Sequence, residues 1–390
     1  MRQIYAYILR RDRKVTESMI APAENASKRV LVAMSGGVDS SVAAWLLKRQ
    51  GYDVTGATLQ IWPDEPDEQV RNDVGCCSLS AVDDARRVAG VLGIPYYVLN
   101  FKSIFESEVI EPFVQEYLHG HTPNPCISCN WKIKFEAMLE KAISLGFDYL
   151  ATGHYARIHF SEERGQYELL ADKGNTKDQT YALYRLNQHQ LAHLLLPIAD
   201  FDKTRIREMA VEAGLPVAQK KDSQEICFVK DNSYANFIHE RTGAGDEPGD
   251  FVDVDGRVLG KHRGIIHYTV GQRKGIGLAS FEPYFVLSID VNTKRVVLGR
   301  ECDLYKGTLI AGQIHTVSDH PQKLPARIEA KIRYSATAIP ATLSEAGEGH
   351  VRVDFDDPVR AVTPGQSVVF YQGDRVLGGG IIETDEHFSI

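Results

Sequence analysis

The sequence has no apolar run of the length that a membrane span needs. A spanning helix takes about 18 or more consecutive apolar residues, and every apolar segment of this chain is interrupted well before that. No hydrophobic region typical of a secretory signal follows the N terminus. We therefore expect a soluble, cytoplasmic protein that has no membrane partner.

Cysteine is scarce, with 6 residues among 390, too few for a disulfide framework in a chain of this length. The cysteines form an adjacent pair, a C-x-x-C pair and two single residues: Cys76, Cys77, Cys126, Cys129, Cys227 and Cys302. This distribution indicates redox, metal or nucleophile chemistry in a reducing compartment.

The charge is uneven along the chain. The net charge is -8, and residues 51–120 hold 4 Lys and Arg against 12 Asp and Glu, which leaves 40 of each sign elsewhere. The acidic surplus is therefore local, and the remaining surface can carry a basic face for an acidic partner such as nucleic acid.

Residues 29–41 form the segment around which we interpret the chain. An apolar strand runs into a loop with two adjacent glycines, and an apolar-rich helix follows. Glycines let the backbone approach a ligand, and the unpaired N–H groups of a helix start attract an anion. The loop lacks the lysine of a G-x-x-x-x-G-K-[ST] motif, so amides and hydroxyls would hold a phosphate here. An ordinary turn before a helix is the alternative.

Strands and helices alternate through the first half of the chain. Apolar strands at about 53–62, 94–101 and 149–152 are separated by helical segments at about 82–92, 104–119 and 131–145. This order predicts an α/β fold, a Rossmann-like parallel sheet covered on both faces, with ligands at the carboxyl ends of its strands.

Short alternating runs separated by turns dominate from about residue 248 onward and predict two small β-rich modules, the second beginning near 305. We thus expect four segments: an N-terminal extension at 1–27, the α/β domain at 28–222, a central β-rich domain at 223–304 and a C-terminal β-rich domain at 305–390.

A proline-containing loop, residues 122–130, holds Cys126 and Cys129. Because its prolines disfavour helix, we expect the next helix to begin near Trp131, with both thiols beside an N terminus that favours thiolate. Such a pair could be a disulfide couple, half of a zinc site or half of an iron-sulfur site. In a structural zinc knuckle, Cys76 and Cys77 would supply the other half.

Three further residues are ambiguous from the sequence alone. Cys227 lies between apolar neighbours and would ordinarily be a buried structural cysteine. Cys302 lies between two acids that raise a thiol pKa, so we expect it to be non-catalytic. His154 follows a strand end, where a nucleotide or a purely structural histidine would both fit.

The glycine loop resembles the pyrophosphate-binding loop of the PP-loop ATP pyrophosphatase superfamily. Further motifs narrow the resemblance to the bacterial-type tRNA-specific 2-thiouridylases over residues 28 to the end. These are SGGVDS at 35–40, TPNP at 122–125, CN at 129–130, ATGHY at 151–155, KDQ at 177–179, DSQEICF at 222–228 and HYTVGQRKG at 267–275.

The resemblance implies an ATP-dependent enzyme that adenylates C2 of the wobble uridine of tRNA and replaces its oxygen with sulfur. Asp39 would help to position Mg²⁺. The implied ATP-binding residues are Ala33, Met34, Ser35, Gly36, Gly37, Val38, Asp39, Ser40, Leu59 and Gly153.

The resemblance also assigns the sulfur chemistry and the tRNA contacts. Cys227 would carry a persulfide delivered by a cysteine desulfurase or a sulfur-relay carrier, and Cys129 would be the nucleophile that closes a disulfide with it. The C-terminal domain would be a β-barrel. The implied tRNA contacts are Asn124, Pro125, Cys126, His154, Lys177, Asp178, Gln179, Arg333, Tyr334 and Gln366.

Cys126 departs from the family pattern, which has an aspartate at this position. Cys126, Cys129 and Cys227 together resemble the three-cysteine iron-sulfur arrangement of other tRNA-thiolating enzymes, so a cluster-dependent version of the reaction is one alternative. The others are a PP-loop ligase acting on a small molecule and a zinc-containing RNA-binding protein without catalytic activity.

Overall fold

The computed structural model describes residues 23–61, 79–221, 226–229, 233–243 and 245–384. Most of the expected N-terminal extension and the loop that holds Cys76 and Cys77 lie outside the described residues. Within these ranges, no helix combines the length and apolar composition needed to cross a bilayer.

The described residues contain seventeen strands. These are β1 Arg29–Ala33, β2 Asp53–Gln60, β3 Tyr96–Asn100, β4 Tyr149–Ala151, β5 Arg157–Ser161, β6 Gln166–Leu170, β7 Leu194–Leu195, β8 Gly249–Val252, β9 Val258–His262, β10 Phe285–Asp290, β11 Arg295–Gly299, β12 Tyr305–Thr316, β13 Ala326–Lys331, β14 Ile339–Gly347, β15 His350–Arg360, β16 Ser367–Gln372 and β17 Arg375–Ile382.

Seven helical segments accompany them, besides short 3₁₀ turns at Ala23–Ser27, Thr180–Leu183, Ile265–His267 and Glu301–Leu304. They are α1 Val38–Arg49, α2 Leu79–Leu92, α3 at 102–118 with a π-helical turn at Glu106–Ile110, α4 at 125–144 with a π-helical stretch at Cys129–Met138, α5 Gln188–Ala192, α6 Lys203–Glu212 and α7 Tyr234–Thr242.

The predicted parallel sheet is confirmed. Its strand order is β3-β2-β1-β4-β7, with every pairing parallel. Strand β1 is central and buried on both sides, since Val30 and Val32 join one hydrophobic cluster and Leu31 joins the other. Two covered faces explain why β1 is continuously apolar.

Strands β12-β15-β14-β13-β16-β17 form a closed six-stranded barrel, because β12 also pairs with β17. The hairpin β5-β6 comes from the α/β part of the chain, yet it extends the barrel sheet. Leu170 pairs with Arg375, and Ala171 N donates to Asp374 O at 2.7 Å. The sequence did not predict this junction.

Strands β8 to β11 form a separate sheet of order β10-β11-β8-β9. Phe251, Val286 and Leu298 are fully or almost fully buried in its core. The chain therefore contains two β-rich modules after the α/β part, as predicted.

Helix α4 begins earlier than expected. It starts at Pro125, not near Trp131. Proline fits the first helical position because that N–H needs no intrahelical partner, and Asn124 Oδ1 caps the helix by accepting from Cys126 N at 3.2 Å. The expectation that both prolines exclude helix was wrong for Pro125, so Cys126 and Cys129 lie within the first turns of α4.

Candidate active site

The glycine loop joins β1 to α1. Ser35 N donates to Ser40 Oγ at 3.2 Å, and Ser41 Oγ donates to Gly37 O at 2.7 Å. Gly36 has a φ of +63°, and a Cβ at this position would lie 2.3 Å from Ala81 O. Side-chain hydroxyls thus fix the loop, and the turn can be occupied only by glycine. The amides of the α1 start remain near the loop as an anion-binding surface.

Gly153 follows β4 and lies against the start of α1. A Cβ on Gly153 would come within 2.5 Å of Ser40 N and 2.6 Å of the Asp39 carbonyl carbon. Leu59 is buried in β2, the neighbour of β1, and Thr58 Oγ1 donates to Met34 O at 2.6 Å. The residues expected to bind ATP therefore line the carboxyl ends of three adjacent strands.

Asp39 is held by two residues to which the sequence analysis gave no role, Lys203 and Tyr155 of the ATGHY motif. Lys203 Nζ lies 2.8 Å from Oδ1 and 2.9 Å from Oδ2, and the Tyr155 hydroxyl donates to Oδ1 at 2.7 Å. Both carboxylate oxygens are therefore already bonded. A Mg²⁺ ion at Asp39 would have to displace Lys203 or share the carboxylate with it.

A second distant lysine reaches the same loop. Lys220 Nζ donates to Gly36 O at 3.1 Å and pairs with Asp84 at 2.6 Å. The only feature of the sequence that hinted at distant lysines near the loop was the absence of a lysine from the loop itself. Their positions 164 and 184 residues further along the chain gave no local pattern to detect.

The loop before α4 is fastened to the C-terminal barrel. Thr122 N donates to Pro364 O at 2.9 Å, and Gln366 Nε2 donates to Thr122 O at 2.6 Å. A Cβ on Gly365 would lie 2.9 Å from Thr122 N. Gln366, expected to contact tRNA, is thus also a structural residue. It fixes the position of α4, the helix that carries Cys126 and Cys129 and is called the cysteine helix below.

Cys126 and Cys129 are three residues apart at the start of α4, so they share one face of the helix. Cys126 is exposed and Cys129 is partly buried. Cys129 and Cys227 both border the same hydrophobic cluster. Phe228, the residue after Cys227, packs with its ring centroid 5.1 Å from that of Phe113 and so anchors the segment that carries Cys227. Cys302 is exposed in the turn Glu301–Leu304, between the two β modules.

The segment around residues 177–180 lies beside the barrel. Asp178 accepts hydrogen bonds from Thr180 Oγ1 at 2.5 Å and Asp172 N at 3.0 Å, while burial raises the pKa of its carboxyl. Gln179 Oε1 accepts from Tyr155 N at 2.9 Å. Lys177 N donates to Asn175 Oδ1 at 2.9 Å, and this bond shapes the turn that precedes Asp178 and Gln179.

Tyr334 presents a partly exposed ring, 43% accessible. Burial of the rest of the side chain, then Asp178 and Cys126, raises the pKa of Tyr334, so these three residues share one electrostatic environment. Lys331 Nζ lies 5.7 Å from the centroid of the Tyr334 ring, and burial lowers the pKa of that lysine. An aromatic ring beside a cation can receive a splayed base.

Arg333 is directed to the backbone. It donates to Ala361 O at 3.0 Å and to Arg360 O, and burial is the main cause that lowers the pKa of its guanidinium. Arg333 therefore fixes the strand end that carries Tyr334.

His154 lies between the end of β4 and helix α4. Its ring lies 5.5 Å from Phe135 of α4, and its Nδ1 is 2.7 Å from Thr152 Oγ1. Burial, followed by the charge of Lys134, holds the pKa of His154 well below its usual value. The imidazole is therefore neutral at pH 7 and can recognise a base edge without adding charge.

Three family models match the chain in succession. The tRNA methyl transferase HUP domain matches residues 28–231, the tRNA methyl transferase PRC-barrel domain matches 235–300, and the aminomethyltransferase beta-barrel domain matches 306–382.

Curated relatives align with nearly the whole chain. The tRNA-specific 2-thiouridylase MnmA of Acetivibrio thermocellus is 58% identical over 91% of this chain and 99% of its own length. That of Clostridioides difficile is 54% identical over 92% and 98%. Among solved structures, the U34-tRNA thiolase NcsA of Methanococcus maripaludis with its 4Fe-4S cluster covers 61% of this chain and 72% of its own, at 18% identity and a TM-score of 0.36. That structural likeness is too low to support any conclusion about a cluster.

The sequence identities over almost the full length and the matching order of all three domains lead to one conclusion. The chain belongs to the family of tRNA-specific 2-thiouridylases.

Proposed function

We propose that this enzyme uses ATP to adenylate C2 of the wobble uridine of tRNA and then replaces the C2 oxygen with sulfur, giving 2-thiouridine, AMP and pyrophosphate. One connection in the structure carries the proposal. Tyr155 bonds through its hydroxyl to Asp39 of the glycine loop and through its backbone N–H to Gln179, beside the cysteine helix. Tyr155 would thereby join the proposed nucleotide site to the proposed thiol site.

The activation step is assigned to the glycine loop. ATP would lie along residues 33–40 with Leu59 and Gly153 against the adenosine, and the loop amides would stabilise the departing pyrophosphate. The C2 oxygen of uridine attacks the α-phosphorus, a P–O bond forms to that oxygen, and the bond to pyrophosphate breaks. Mg²⁺ bound to the nucleotide would offset phosphate charge.

The sulfur-transfer step is assigned to Cys227 and Cys129. The terminal sulfur of a Cys227 persulfide attacks the adenylated C2, and the C2–O bond breaks as AMP leaves. The Cys129 thiolate then attacks Cys227 Sγ, which breaks the S–S bond and leaves the sulfur on the base. The resulting Cys129–Cys227 disulfide is reduced by an external thiol before the next turnover.

The tRNA would lie across the cysteine helix and the barrel. Tyr334 would stack on a splayed base, and neutral His154 would meet a base edge. Asn124, Pro125 and Cys126 would contribute through the start of α4, and residues 177–179 through the adjoining turn. The donor of the persulfide sulfur would be a cysteine desulfurase or a sulfur-relay carrier in the cytoplasm.

A single assay tests the proposal. Purified protein is incubated with ATP, Mg²⁺, tRNA, a cysteine desulfurase with cysteine as the persulfide donor, and a reducing thiol, and AMP and the thiolated wobble nucleoside are measured together. We expect both products in equal amounts. AMP formation with a small-molecule acceptor but not with tRNA would instead indicate a PP-loop ligase, and tRNA binding without AMP would indicate a non-catalytic binding protein.

A cluster-dependent version of the reaction is the less favoured route. Cys126, Cys129 and Cys227 would hold the cluster, and its open iron would supply bound sulfide. The shared face of Cys126 and Cys129 is compatible with either route. The substitution Cys126→Asp distinguishes the two routes, because only the cluster route needs a third thiolate.

A further inference from the structure

We propose that His239, Asp246 and His267 form a binding site for a divalent transition-metal ion, of which zinc is the best fit. His239 lies on α7, Asp246 in the loop that follows, and His267 in the turn Ile265–His267 of the central module. The site shares no residue with the proposed thiolation machinery. Its test is therefore independent of that function.

The three side chains converge on a small volume. One ligand atom from each lies within 4.8 Å of the others. His267 Nε2 is 2.5 Å and His239 Nε2 is 3.1 Å from Asp246 Oδ1. Ligand atoms around a tetrahedral zinc ion, with bonds of about 2.0–2.1 Å, are separated by about 3.3 Å. Small side-chain adjustments would therefore bring the three atoms to zinc-binding distances.

One nitrogen among the three side chains, His239 Nε2, has no hydrogen-bond partner among the described residues. This nitrogen is buried. Its contact with Asp246 falls within ion-pair distance but does not have the geometry of a hydrogen bond. A buried polar atom left unsatisfied costs about 1–3 kcal/mol. A cation between the two imidazoles would use this lone pair.

The donor types select the class of metal. Two imidazole nitrogens and one carboxylate oxygen suit zinc and related transition metals, whereas Mg²⁺ and Ca²⁺ prefer oxygen ligands. The His267 side chain is 6% exposed and that of Asp246 is 38% exposed, so water can complete the coordination from one side. Arg263 also acts on the Asp246 carboxylate and is the positive neighbour that the ion must tolerate.

The position of the site indicates what the metal would do. Helix α7 carries Phe237, whose ring lies 5.3 Å from that of Phe228, the residue after Cys227. A metal shared by His239 and His267 would fasten α7 to the turn Ile265–His267 of the same module. It would thereby restrain the chain that follows Cys227.

Zinc binding by the full-length protein tests the site. A variant with all six cysteines replaced by alanine, the cysteine-free protein, removes the thiols that would compete for zinc, and a chelator removes prior metal. Zinc chloride is then titrated, and the zinc retained after desalting is measured by elemental analysis. We expect one ion per chain and a higher melting temperature with zinc.

In that background, His239→Gln and His267→Gln should each weaken zinc binding at least about tenfold, as even the loss of a residue that only supports a metal ligand costs 10–100-fold. His159→Gln, at an exposed strand position, should leave the affinity unchanged. Circular dichroism checks that each variant is folded.

Cobalt substitution gives a second measurement that needs no histidine variant. The cysteine-free protein should show the visible bands of cobalt bound by nitrogen and oxygen ligands, without thiolate charge transfer. Retention of no zinc and no cobalt band in this protein would overturn the proposal. Equal zinc affinity in the folded His239→Gln and His267→Gln variants would do the same.

Discussion

Lys203 Nζ contacts both carboxylate oxygens of Asp39, at 2.8 and 2.9 Å. The two side chains are 16% and 30% exposed, so water screens their interaction only partly. This pair places a positive charge next to a glycine loop that has no lysine of its own. The positive charge beside the loop therefore comes from α6 and not from the loop itself.

Lys203→Met should weaken ATP turnover while leaving the fold intact. The change removes the cation beside the loop and frees Asp39, whose negative charge would then repel the nucleotide phosphates. We expect AMP formation to fall at least about tenfold, equivalent to about 1.4 kcal/mol in the barrier. The measurement is AMP release under saturating tRNA.

Lys173→Met serves as the control, since Lys173 pairs with Glu329 at an exposed site on the barrel. It should leave AMP formation near the wild-type rate. An unchanged rate in Lys203→Met would show that the pair is only structural.

Gly153→Ala should separate nucleotide binding from overall folding. The new Cβ would lie 2.5 Å from Ser40 N, so the start of α1 must move and the loop geometry is lost. We expect a large rise in the KM for ATP and a nearly normal circular dichroism spectrum.

Gly90→Ala is the matched control for that substitution. Gly90 lies in α2, and nothing is within 4 Å of its added Cβ. This change should preserve the KM and stabilise the helix by about 1 kcal/mol. A normal KM for ATP in Gly153→Ala would remove Gly153 from the nucleotide site.

The sequence was informative where the determining pattern is local. The apolar run of β1 predicted a strand covered on both faces, and Val30, Leu31 and Val32 are buried as that pattern requires. Alternating strands and helices then predicted the parallel sheet. The short alternating runs after residue 248 predicted the two β-rich modules for the same reason.

The features that the sequence did not predict depend on contacts between residues distant in the chain, or on two opposing local preferences of one residue. Lys203 looks like an ordinary first residue of a helix until the fold brings it to Asp39. The junction between β6 and β17 rests on the pairing of Leu170 with Arg375, which no periodicity reports. At Pro125, the preference of proline for the first helical turn prevailed over its helix-breaking effect.

Cys129→Ala and Cys227→Ala should each abolish formation of 2-thiouridine, because each removes one sulfur atom of the proposed disulfide exchange. Release of pyrophosphate in a single turnover should persist in both variants, since activation uses the glycine loop. Nucleoside analysis of the tRNA measures the product.

Cys302→Ala is the control for the two cysteine variants and should retain nearly wild-type thiolation. Cys302 is exposed in the turn Glu301–Leu304. Loss of thiolation in a folded Cys302→Ala protein would overturn its assignment as non-catalytic.

Tyr334→Ala should weaken tRNA binding without altering ATP binding. Base stacking on an aromatic ring contributes about 1–3 kcal/mol, so we expect the Kd for tRNA to rise about 5- to 150-fold. Tyr305→Ala is the matched control, because this barrel tyrosine is similarly exposed, 49% against 43%. Equal effects of the two substitutions would argue against a specific stacking role for Tyr334.

Cys126→Asp distinguishes the persulfide route from the cluster route. The residue is exposed at the start of α4, and its backbone N–H donates to the Asn124 cap, a bond that any side chain at 126 would retain. A carboxylate fits this position, because an acid near a helix N terminus is favoured by the helix dipole. The helix should therefore form normally.

The persulfide route requires only Cys129 and Cys227, so the Cys126→Asp protein, prepared without iron, should complete a single turnover at a rate near that of the wild type. A cluster route requires three thiolates, and the same change should then abolish thiolation and the charge-transfer band after anaerobic reconstitution with iron and sulfide. Single-turnover thiolation and the visible spectrum are measured on the same samples. Full activity with no iron band would show that Cys126 only occupies the position of the family's aspartate and is not a cluster ligand. Loss of both thiolation and the iron band would establish the cluster route.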